Sequence, residues 1–120
     1  MDTILMKYRS LDNEYLIFDT NKYHAVMDER AVRLICSRNC GLGSAGIVAG
    51  PFMENGNVSL KVFNPDGREE QSDRAAISAG LHYLEDAGYP TQGQNAEFGA
   101  AMVGKVFLSE EFVSRYLQTV

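Results

Sequence analysis

Phe63-Asn64-Pro65-Asp66-Gly67-Arg68-Glu69-Glu70 decides how this chain folds. Pro65 presets its own φ and Gly67 closes the bend, so Asn64-Pro65-Asp66-Gly67 reads as a tight turn. Before it, Val58, Leu60 and Val62 alternate with Ser59, Lys61 and Phe63, the period of a half-buried strand. After it we predict a brief polar strand around Arg68 to Gln71. Ser72 or Asp73 then caps a helix that carries Ala76, Ile77, Leu81 and Leu84 and closes at Gly88, with Gly80 weakening it slightly. A strand, a turn and an amphipathic helix in this order make a unit that buries one sheet face under the helix.

Upstream, Thr3–Tyr8 and Glu14–Asp19 are short apolar runs separated by the turn residues Ser10-Leu11-Asp12-Asn13, which predicts an N-terminal hairpin. Asp28 caps a helix with Ala31, Val32, Leu34 and Ile35 on its apolar side, and Asn39-Cys40-Gly41 ends it. Gly46-Ile47-Val48-Ala49-Gly50 reads as a short buried strand. Downstream, residues 90–100 form a linker, with Pro90 to Asn95 its most linker-like part. Residues 101–120 hold a strand from Ala101 to Leu108, then a final helix opened by Ser109-Glu110-Glu111. Residues 1–89 form the core of a single domain, and the expected class is α+β with a mixed or antiparallel curved sheet wrapped around a central helix.

Composition narrows the function. The chain has 120 residues, 45% of them hydrophobic, enough for one core. With 16 acids against 11 scattered bases, the net charge of -5 argues against nucleic acid and suits a cationic partner. No run approaches the roughly 20 apolar residues of a membrane span, and the N-terminus lacks a signal-peptide pattern, so no membrane partner and a cytoplasmic location are expected. Cys36 and Cys40 match neither zinc nor redox spacing and read as core thiols, while His24 and His82 are too far apart to pair on one helical face. No metal and no cofactor are expected.

Three segments carry a resemblance. Arg9-Ser10-Leu11-Asp12-Asn13-Glu14-Tyr15, leading to Leu16-Ile17-Phe18-Asp19, is similar to a His-Gly-Leu-Gly-Asn-Asp-Phe turn and the strand after it. Leu34 to Gly46 resembles a helix running into a Gly-x-Gly-x-Asp-Gly loop, with Ala45 in place of the acid. Phe63 to Glu70 is similar to a Phe-Asn-Pro-Asp-Gly-Ser-Glu stretch. Together they resemble the N-terminal half of the diaminopimelate epimerases, cofactor-independent amino-acid racemases that work with two cysteines at a cleft between two similar domains. The likeness covers about residues 4 to 89, and Gly104 to Phe112 also looks like the family's last strand. A second domain has no counterpart in this sequence.

The resemblance implies a Cys-Gly-Asn-Gly loop at the start of the second helix, where this chain has Asp73-Arg74-Ala75-Ala76. Racemisation needs a base and an acid on opposite faces of the substrate carbon. With the thiol replaced and the glycines gone, the expectation is no catalytic residue and no enzyme. Asn13 and Asn64 stand where the family's asparagines contact substrate, and are read as vestigial. The function expected on these grounds is a non-catalytic protein-binding domain, an immunity protein or antitoxin that neutralises a basic nuclease toxin. The partner surface is assigned to Asp12, Glu69, Glu70, Asp73, Glu85, Asp86, Glu110 and Glu111. The alternatives are a homodimeric racemase-like enzyme, or a structural subunit that pairs with a separate second domain.

Overall fold

Residues 2–39, 44–91 and 93–119 are described by the structure, a computed structural model. β1 (Thr3–Ser10) and β2 (Asn13–Asp19) form the expected antiparallel hairpin, with Ser10 opposite Asn13 across the turn. Asp28 Oδ1 accepts from the Ala31 amide at 2.9 Å and caps α1 (Glu29–Asn39). Cys40 and Gly41–Gly43, the loop of the second resembling segment, lie outside the described residues. β3 (Ser44–Glu54) runs beside β2 in parallel, because α1 carries the chain back over one sheet face before β3 begins. β4 (Asn57–Phe63) turns back antiparallel on β3, α2 (Arg74–Asp86) follows, and β5 (Ala100–Leu108) pairs antiparallel with β1 before α3 (Glu110–Tyr116). The sheet order is β4-β3-β2-β1-β5. This is the expected α+β class with a mixed sheet.

Strand alternation divides the core into two layers. Leu5, Leu16, Phe18, Ile47, Ala49 and Phe63 pack with Val32 and Ile35 of α1 on one face. Tyr8, Tyr15, Ile17, Val48 and Val62 pack with Ala76, Ala79 and Leu84 of α2 on the other. α2 crosses that second face in contact with all five strands, the central helix of the expected architecture. Cys36 is buried in the first layer, as expected for a core thiol.

Two expectations need correction. No strand forms over Arg68 to Gln71. Phe63 and Glu69 make a single bridge, Glu70 donates its amide to the Val62 carbonyl at 2.7 Å, and the chain then leaves for the α2 cap. The strand around Gly46–Gly50 does not stop at Gly50. It continues through Pro51 to Glu54, where Phe52 pairs with Ser59 after a register shift that absorbs the proline. Gly80 also has a positive role that helix propensity hides. A Cβ there would lie 2.6 Å from Leu60 Cδ1 and 3.0 Å from Val48 Cγ1, so its absence lets α2 approach the sheet.

The linker region is tied down where it is described. Gln94 donates to the Val58 carbonyl at 3.1 Å, the Phe98 amide donates to Ser78 Oγ at 3.1 Å, and Tyr89, Ala96 and Phe98 pack against the α2 layer. No helix among the described residues is long and apolar enough to cross a membrane.

Candidate functional site

Parallel β2 and β3 begin at the same end of the sheet, where antiparallel β4 finishes and α2 starts. This convergence gathers Asn13, Tyr15, Asn64, Glu70, Ser72 and Asp73. Tyr15 sits beside Gly46 in the β2–β3 register, and Gly46 is backed directly by the Phe63 carbonyl and Asn64 Cα. Its Cα is left bare so that β3 can pass the turn at this point.

Asp73 is the N-cap of α2. Its Oδ1 accepts from the Ala76 amide at 3.0 Å, a favourable seat for a carboxylate at the positive end of a helix. The hydroxyl of Tyr15, a residue with no exposed surface, donates to both Asp73 oxygens, 3.2 Å to Oδ1 and 3.1 Å to Oδ2. Asn13 Nδ2 makes a long 3.5 Å contact to the same hydroxyl. Glu70, one turn earlier, accepts from the Ser72 hydroxyl at 2.7 Å and from its amide at 3.1 Å. These two bonds from Ser72, joined by one from the Asn64 side chain, hold the Glu70 carboxyl below its ordinary range. Arg74, the nearest base in sequence, is held by Glu97 and lies over the Phe98 ring. A groove of about 330 Å³ beside Glu69, Glu70 and Lys61, and a smaller one of about 170 Å³ beside Asp73, Ser78 and Asn95, flank the helix start.

The eight acids assigned from sequence to a partner surface fall in separate places. Asp12 is exposed in the β1–β2 turn, and Glu69, Glu70 and Asp73 lie along the approach to α2. Glu85 and Asp86 end α2, about 20 Å away at 1.5 Å per residue, where Asp86 accepts from the Tyr8 hydroxyl at 2.5 Å. Glu110 and Glu111 open α3, whose Phe112 and Val113 pack on the opposite layer, and Glu111 pairs with Arg115 at 2.9 Å. The structure therefore brings Glu69, Glu70 and Asp73 together with Asn13 and Asn64, with Asp12 next to Asn13 in the turn, and leaves Glu85, Asp86, Glu110 and Glu111 elsewhere.

Sequence reasoning missed Tyr15. It belongs to an apolar strand run, and only the cross-layer contact with Asp73 sets it apart. Burial, and after it the negative charge of Asp73, pushes its phenol up from the ordinary 10 to about 12. Tyr8, Tyr83 and Tyr89 are raised too, in each case by burial first and then by a hydrogen bond to Asp86 or Asp19. A phenol that holds its proton longer when folded adds stability that is complete below pH 10. That stability is lost as pH rises through the folded value, because the unfolded chain ionises first. Urea midpoints should therefore be level from pH 7 to 9 and fall between pH 10 and 12, and a flat midpoint across that window would contradict the raised phenols.

No protein-family model matches the chain. Among curated proteins, diaminopimelate epimerase 2 of Nostoc sp. (strain PCC 7120) is 34% identical over 83 residues, 68% of this chain and 29% of the relative. Diaminopimelate epimerase of Synechococcus sp. (strain JA-3-3Ab) is 32% identical over 90 residues, 72% of this chain and 31% of the relative. That of Rippkaea orientalis is 32% identical over 68 residues, 54% and 24%. The chain is a relative of the diaminopimelate epimerases. It matches 29% and 31% of the length of the first two, consistent with an N-terminal-type epimerase domain. This finding overturns the expectation that the chain is not an enzyme, because the proteins it matches bear an enzyme's name. That expectation rested on the missing thiol at residue 73, yet the carboxylate that stands there can also accept a proton.

Proposed function

We propose that this epimerase-type domain supplies one wall of a cleft in which the α-proton of an amino-acid substrate is exchanged. The opposite wall belongs to a second lobe, either another copy of the chain or a separate domain. The observation that carries the reading is the convergence of Asn13, Asn64 and the start of α2 at one end of the sheet. These are the positions at which the sequence resembles the family's substrate-contacting segments. The relatives' name points to diaminopimelate as the first molecule to try. Asp73 at the helix start disfavours a substrate carboxylate at that spot, so the cleft suits the same α-carbon chemistry with a neutral or cationic group facing α2.

A second reading, binding of a cationic protein in the manner of an immunity protein or antitoxin, draws on a different observation. Among the described residues Glu69, Glu70 and Asp73 have no ion-pair partner, whereas Glu97 and Glu111 each have one and Glu14 has two. Negative charge left unpaired at one end of the sheet would steer a basic surface toward it.

One experiment addresses both. The chain is purified with whatever proteins accompany it, its assemblies are weighed by native mass spectrometry, and it is incubated in heavy water with diaminopimelate and a panel of amino acids. Deuterium incorporation at the α-carbon, by the chain or its complex, is the expected result. No incorporation in any assembly overturns the epimerase reading. A basic partner lost on Asp73→Arg with Glu70→Arg then favours the second.

A further inference from the structure

Asp73 is fixed from two sides, and the two sides use its oxygens unequally. Oδ1 accepts from the Ala76 amide and from Tyr15, while Oδ2 accepts from Tyr15 alone. A carboxylate has about four lone-pair positions, so Oδ2 retains the larger share of open acceptor capacity. Tyr15 has little freedom to do anything else. Its ring is fully buried in the α2 layer, and Asp73 is the acceptor of its hydroxyl. Arg74 does not compete for the carboxylate, because Glu97 and the Phe98 ring hold it. A separate observation points to this same layer. Ser10 Oγ is fully buried without a hydrogen-bond partner among the described residues, and Ser10 lies opposite Asn13, whose side chain reaches the Tyr15 hydroxyl. Cross-strand partners share a sheet face, so the face that presents Tyr15 to Asp73 also holds an uncommitted hydroxyl.

We infer that Tyr15 is the positioning residue for Asp73, its hydroxyl setting the carboxylate so that Oδ2 takes the substrate's α-proton. This rests on the epimerase-type reading above. In the step, the C–H bond breaks and the proton passes to Oδ2, while the electron pair stays on the α-carbon and spreads into the adjoining carboxyl group. An acid on the second lobe returns a proton to the opposite face, and Asp73 releases its own to solvent. Through the cycle the Tyr15 hydroxyl keeps donating to the carboxyl group, bonding most strongly while that group is charged. An apolar aromatic ring at residue 15 would fill the same space and leave the carboxylate with one fixed edge.

The test uses the complex that shows exchange, with Tyr15→Phe and Asp73→Asn as variants. Both keep the shape of the site, and asparagine remains a good helix cap. Tyr15→Phe is expected to slow α-deuteration at least tenfold and to move the acid limb of its pH profile upward, with the urea midpoint little changed. Carbon-13 shifts of the tyrosine Cζ atoms at pH 8, where every phenol is protonated and the protein folded, supply a readout independent of activity. Asp73→Asn should move the Tyr15 Cζ resonance, because its hydroxyl no longer donates to a charged carboxylate, and leave that of Tyr83 in place. Exchange in Tyr15→Phe at the wild-type rate and with the wild-type profile overturns the inference while the epimerase reading stands. An unmoved Tyr15 Cζ resonance in Asp73→Asn overturns it as well. If the wild type exchanges nothing, the reading itself fails, and a Tyr15 resonance that still responds to Asp73→Asn then marks the pair as a structural clamp only.

Discussion

Gly46→Ala should destabilise the domain severely. The added Cβ would lie 1.9 Å from the Phe63 carbonyl oxygen and 3.2 Å from Asn64 Cα, and both are backbone atoms. Phe63 cannot retreat, because it pairs with Ile47 in the β3–β4 ladder and its carbonyl belongs to the turn that follows. Gly46 also holds φ +127, which side-chain-bearing residues rarely adopt. The combined cost, about 4 kcal/mol or more, is comparable with the lower end of the roughly 5–15 kcal/mol that stabilises a domain of this size. Gly56→Ala is the matched control, since Gly56 has φ +81 and open space around it. It should cost only the left-handed backbone penalty of about 1–2 kcal/mol. Circular dichroism and urea titration of the two variants decide the matter, and equal stabilities would mean that the contact with Phe63 is unimportant.

The second large effect belongs to Asp19. This carboxylate is 2% exposed and accepts from Tyr83 at 2.5 Å, from Tyr89 at 2.8 and 3.1 Å, and from the amides of Asn21 and Lys22 at 2.9 and 3.2 Å. Through these donors the group joins the end of β2, the turn after it, and both the body and the exit of α2. Asp19→Ala leaves two phenols and two amides without their acceptor and should cost about 3–5 kcal/mol. Asp19→Asn keeps one acceptor and should cost clearly less. Chemical denaturation at pH 7 measures both, and a loss below about 1 kcal/mol for the alanine variant would show that the buried carboxylate is dispensable.

Much of this architecture was legible because its signals are local. The Asn64-Pro65-Asp66-Gly67 turn closes with a 2.8 Å bond from the Gly67 amide to the Asn64 carbonyl, and Asp28, Asp73 and Ser109 cap the three helices that their positions imply. The hairpin register follows from two short apolar runs and the turn between them. What was not legible depends on contacts between distant residues. Tyr15 and Asp73 are 58 residues apart, Tyr83 and Asp19 64 apart, and no period links either pair. The Arg68 to Gln71 segment follows a tight turn as the second strand of a hairpin would, but Arg-Glu-Glu-Gln lacks β-branched and aromatic residues and makes only one bridge. The acids of the assumed partner surface looked alike in sequence. Only the fold separates the three beside α2's start from those at its far end or on α3.

The place of β5 sets a timetable for the nascent chain. Its partner is β1, so Thr3 waits for Leu108 and Ser10 for Ala100. The units from β1 to α2 can assemble in the order they emerge during synthesis, each strand adding beside one already made. The outer rim of β1 stays unpaired until β5 has left the ribosome. Contacts of such long sequence separation form slowly. Meanwhile a raw strand edge, backed by the exposed side of Ile4 and Met6, is open to the wrong neighbour. Crowding and truncation should therefore harm this domain first through aggregation of the unfinished chain.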